Sequence, residues 1–171
     1  MKVEQRMKQM WVACLMLIIG VMSLTIPSKA ATLTEGDYEY EILEDGTAKI
    51  TRYIGSDTEI TIPSTLGGKQ VTEILFWNSM NFDKITKVTI PDGVISVGGF
   101  LGCTSLESVT FPESVTTLKS CAFAGCVSLT NIIIPESVTS IEPSAFSGCV
   151  RLESIVIPKN VTVLASRVFQ E

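Results

Sequence analysis

The feature that most constrains this chain is an internal repeat. Pro112 to Ile134 reads PESVTTLKSCAFAGCVSLTNIII, and Pro135 to Ile157 reads PESVTSIEPSAFSGCVRLESIVI. Each copy has 23 residues, with apolar residues at the same places. A fixed period of this length marks a solenoid, in which each copy is one coil stacked on its neighbours. A single coil can neither bury its apolar face nor complete its backbone hydrogen bonds. Ordering it alone costs more than it returns, so stacking is obligatory.

Prolines mark the period along the chain. Pro63, Pro91, Pro112, Pro135 and Pro158 open successive units, at spacings of 28, 21, 23 and 23. The first unit carries five extra residues, placed in the Ser64 to Gln70 loop. The second lacks two, and Gly98-Gly99 takes the tighter path. With these offsets the apolar residues align in columns. One holds Ile85, Leu106, Leu129 and Leu152, and the next Val88, Val109, Ile132 and Ile155. Ile90, Phe111, Ile134 and Ile157 precede the prolines, and Val94, Val115, Val138 and Val161 follow the turn. Val97, Leu118, Ile141 and Leu164 come next, and Phe100, Phe123, Phe146 and Phe169 close the coil.

Segments such as Leu106 to Phe111 read as short strands, with Val109 and Phe111 inward and polar residues between. Equivalent strands of successive coils are expected to pair in parallel on one face. Proline has no N–H for that ladder, so it ends each strand at the same level. The Val-x-x-Leu/Ile segment is expected to cross the far side, and Ala-Phe-x-Gly-Cys to return the chain in a tight turn. Before the array, Tyr38 to Ile42 alternates like a half-buried strand, Glu44-Asp45-Gly46-Thr47 is a turn, and Lys49 to Tyr53 and Glu59 to Ile62 are further strands. The organisation expected is a leader over 1–30, a small N-terminal β cap over 31–62, and an array over 63–171 of about five coils, the last incomplete.

The leader has a basic start (Lys2, Arg6, Lys8), an apolar core from Trp11 to Ile26, then Pro27 and the small residues Ser28 and Ala30. This is the pattern of a secretory signal peptide cut after Ala30, touching the membrane only in transit. The remaining 141 residues carry 17 acidic and 9 basic side chains, a net charge of −8 that argues against nucleic acid. Cys103, Cys126 and Cys149 recur every 23 residues and form a column. Coils about 4.8 Å apart hold parallel side chains too far apart for the ~3.8 Å Cβ separation of a disulfide. The column is expected to be buried free thiols, with Cys121 outside it.

The chain lacks the means for common chemistry. It contains no histidine, which removes Ser-His-Asp and Cys-His nucleophile systems and histidine metal sites. Gly67-Gly68 is an isolated pair rather than a phosphate-cradling loop, and Cys121-x4-Cys126 lacks further zinc ligands. No catalytic, cofactor or metal site is expected.

The pattern L-x-x-V-x-F-P-E-S-V-x-x-L-x-x-x-A-F-x-G-C resembles the leucine-rich repeat of the BspA-like family of bacterial secreted and cell-surface proteins. Tyr38 to Ile74 also resembles the segment that opens such arrays. The resemblance implies a leucine-rich-repeat solenoid and a secreted or surface-displayed, adhesin-like module that binds a host matrix or cell-surface protein. The alternative is a structural spacer or fragment of a larger surface protein without a ligand of its own. One departure is local: around Phe76-Trp77-Asn78-Ser79-Met80 the first unit lacks Ala-Phe and Gly-Cys, and Phe76 or Trp77 is expected to refill the core, the alternative being an exposed aromatic contact.

The surface that remains for binding is the strand face. Its outward residues are Lys87 and Thr89, Ser108 and Thr110, Asn131 and Ile133, and Ser154 and Val156, with Glu107 and Glu153 at the margin. Solenoids bind along such faces because they are broad and rigid.

Overall fold

The computed structural model describes residues 31–76 and 82–170. The leader, Trp77 and Ser79 lie outside the described residues. The chain is mainly β, a solenoid with parallel ladders along it. Its strands are β1 (Leu33–Glu35), β2 (Tyr38–Ile42), β3 (Ala48–Tyr53), β4 (Glu59–Thr61), β5 (Thr65–Leu66), β6 (Lys69–Leu75), β7 (Lys87–Thr89), β8 (Ser96–Gly98), β9 (Ser108–Thr110), β10 (Thr117–Leu118), β11 (Ser140–Ile141) and β12 (Val163–Leu164).

Among the described residues they form two sheets. The strand face holds the expected parallel ladder only in part, in the order β4-β7-β9, and the two later coils add no strand to it. Lys87 pairs with Glu59 on one side and Ser108 on the other, and Thr89 with Thr61 and Thr110. The longer sheet runs β1-β2-β3-β6-β8-β10-β11-β12 on the other side, with β5 beside β6. Its coil-to-coil rungs are the Val-x-x-Leu/Ile segments, expected only to cross the far side. There Leu118 pairs in parallel with Val97 and Ile141, and Ile141 with Leu164. Thr116 N–H reaches the Ile95 carbonyl at 2.9 Å, and Thr139 N–H reaches the Thr116 carbonyl at 2.9 Å. These segments lack proline and are rich in β-branched residues, which suits a ladder.

The N-terminal strands are joined to this system. β1, β2 and β3 form an antiparallel meander, with a bulge at Glu39/Tyr40. β3 then pairs in parallel with β6, and β4 with β7. The extra residues of the first unit are not a slack loop. They are a hairpin, β5 to β6, turned by Gly67 and Gly68, both at positive φ (57° and 68°), as a two-residue hairpin turn requires. Glu35 accepts a hydrogen bond from Gly67 N–H at 2.6 Å, which ties the hairpin to β1. In the shortened unit, Gly99 turns at φ +87°, and a Cβ there would meet the Phe76 backbone nitrogen at 2.2 Å, so only glycine fits.

The core is a set of ladders. Phe100, Phe123, Phe146 and Phe169 stack with centroid separations of 5.4, 5.6 and 5.9 Å and nearly parallel planes. Where the first unit lacks the repeat's phenylalanine, Phe82 takes the next place, stacked on Phe100 at 6.1 Å. Phe76 sets its edge against both, at 5.1 and 5.2 Å. Phe76 thus refills the core as expected. Burial follows neighbours: Leu118 and Ile141 are fully buried, while their equivalent Leu164 is 53% exposed. Short polar side chains tie the turns together. Ser114 and Ser137 hydroxyls donate to the Val94 and Val115 carbonyls at 2.8 and 2.7 Å. Asn160 takes this place in the next unit and donates to the Glu136 carbonyl at 2.7 Å.

Candidate functional site: the strand face

The ten candidate residues divide by element. Lys87 and Thr89 lie on β7, and Ser108 and Thr110 on β9, next to Glu107. Asn131, Ile133, Ser154 and Val156 lie on segments that are not in strand conformation, although their sequence aligns with β9. Glu107, Ser108, Thr110, Asn131, Ile133, Glu153, Ser154 and Val156 are exposed, as is Lys87, whereas Thr89 is half-buried. Ile133 and Val156 are 78% and 79% exposed, at equivalent positions of successive coils.

A groove of about 540 Å³ opens on this face between β9 and the next coil. Glu107 to Phe111 and Glu113 line one side, and Thr130 to Ile133 and Pro135 the other. It brings together Glu107, Ser108, Thr110, Asn131 and Ile133. Lys87, Thr89, Glu153, Ser154 and Val156 lie outside it on flanking coils. Sequence reasoning missed Val109, Phe111, Glu113, Thr130, Ile132 and Pro135 as lining. The recurrence of an acid after the proline (Asp92, Glu113, Glu136) was the available signal for Glu113. The groove is lined by two carboxylates, Glu107 and Glu113, and by no lysine or arginine. Among the described residues neither carboxylate has an ion pair; the pairs are Lys49–Glu41, Arg52–Glu39 and Lys119–Glu142.

The thiols are packing groups. All four cysteines of the described residues are free. Cys126 and Cys149 donate to the Phe100 and Phe123 carbonyls of the preceding coil, at 3.3 and 3.1 Å. The hydrogen-bonded Cys103 thiol and burial push the Cys126 thiol well above the ordinary range. Burial, with the nearby Cys126, pushes Cys149 up to about 11. A thiol acts as nucleophile or metal ligand through its thiolate, so these two are inert near neutrality. No group of acidic or cysteine side chains among the described residues is placed to hold a metal ion. Among them, no helix is long and apolar enough to cross a membrane.

The sequence model of the BspA type leucine-rich repeat region matches residues 69–171 in six copies. The chain belongs to the BspA-type leucine-rich repeat family. This BspA-type chain is similar to several solved structures. A leucine-rich repeat protein of T. pallidum superposes with a TM-score of 0.73 at 29% identity, over 82% of this chain and 67% of that one. A leucine-rich cell surface protein of Faecalibacterium prausnitzii gives 0.71 at 35% identity, over 81% and 40%. A leucine-rich repeat protein of Bacteroides ovatus gives 0.70 at 29% identity, over 80% and 38%. The chain thus spans well under half the length of the last two. No curated protein matches it. Leucine-rich repeats of this type are typically protein-interaction modules rather than enzymes.

Proposed function

We propose that the chain is a secreted or surface-displayed, adhesin-like protein-interaction module that binds its partner through the strand face. The observation that carries this is the pair of outward apolar side chains, Ile133 and Val156, nearly free of neighbours on a face otherwise polar and acidic. Exposed apolar residues flanked by polar ones mark interaction surfaces. The cell-surface description of the similar Faecalibacterium prausnitzii protein and the leader pattern of residues 1–30 support the location. The partner is a matrix or cell-surface protein, and no step of chemistry is assigned to the chain. The test is capture from a panel of matrix and cell-surface proteins, comparing the native chain with the Ile133→Ser, Val156→Ser double variant. Capture lost in the variant, with its circular dichroism unchanged, supports the strand face. Capture retained in full overturns it.

A further inference from the structure

We draw no further inference here: the strongest candidate, the apolar surface patch of Leu101, Val127 and Val150 at the glycine turns of three successive coils, is an unpartnered face, and nothing in the structure shows what covers it.

Discussion

Truncating the phenylalanine stack at its centre and at its end separates a solenoid's nearest-neighbour energetics from ordinary core packing. Phe123 is fully buried, lies between Phe100 and Phe146 at 5.4 and 5.6 Å, and meets the edge of Phe111 at 5.9 Å. Phe123→Ala removes a whole buried ring and leaves a cavity that rigid flanking coils cannot close, a loss of about 3–5 kcal/mol. Three ring contacts, each worth about 0.5–1.5 kcal/mol beyond area, place the cost at the upper end. Phe169 has the same role in sequence, but it stacks on Phe146 alone at 5.9 Å and is 44% exposed. Roughly half of the ~1.5–3 kcal/mol for a fully buried large apolar side chain, with one ring pair at about 0.5–1.5 kcal/mol, gives about 1–3 kcal/mol for Phe169→Ala. Against a typical domain stability of about 5–15 kcal/mol, the first change is severe and the second mild. Urea unfolding followed by circular dichroism measures both, provided the slopes agree. Midpoints lowered equally by the two variants would refute the view that burial here is conferred by the neighbouring coil.

The remaining predictions concern backbone strain, thiols and one polar cluster. Cys121, Ser144 and Arg167 occupy equivalent positions at positive φ (55°, 59° and 61°). A side chain in this region costs about 1–2 kcal/mol. Cys121→Gly is therefore expected to hold or raise stability by up to about 1 kcal/mol, whereas β-branched Cys121→Val lowers it; a glycine midpoint at or below the valine midpoint would contradict the strain. Native-state alkylation at pH 8 is expected to label half-exposed Cys121 first. Cys149, with its thiol pushed up to about 11, carries roughly a thousandth of its population as thiolate at that pH, and mass spectrometry of the labelled peptides checks the order. The folded state binds the Cys149 proton more tightly than the unfolded chain does. Its contribution is therefore complete below pH 9.0 and is lost as pH rises toward about 11. The raised Cys126 and Tyr38 extend that loss to higher pH. Unfolding midpoints should fall over this window and stay flat between pH 6 and 8. Glu142 accepts from Ser120 N–H and hydroxyl, both at 3.0 Å, and pairs with Lys119 at 3.6 Å. Glu142→Ala is expected to cost about 1–2 kcal/mol, mostly through the hydrogen bonds. A high-salt measurement that removes most of this loss would contradict that division.

The sequence by itself determined the coil. A 23-residue period with columns of Leu, Val, Ile and Phe admits one solution, because those residues escape water only by stacking equivalent positions. It also determined the end of each strand-face segment, since proline carries no N–H. Which segments became ladders was decided by tertiary structure. Val-x-x-Leu does not alternate with period two, yet β8, β10, β11 and β12 are its rungs, because their N–H and C=O groups find partners only in the coils above and below. Asn131–Ile133 and Ser154–Val156 carry the strand pattern and have no ladder. The Gly67-Gly68 hairpin was signalled locally, but its attachment to β1 through Glu35 spans 32 residues of sequence. The groove has the same origin. Glu107, Glu113 and Ile133 are separate columns in the sequence, and they line one groove because stacking sets their two coils side by side. A repeat specifies what each coil buries, whereas the groove lined by two coils exists only once they are stacked.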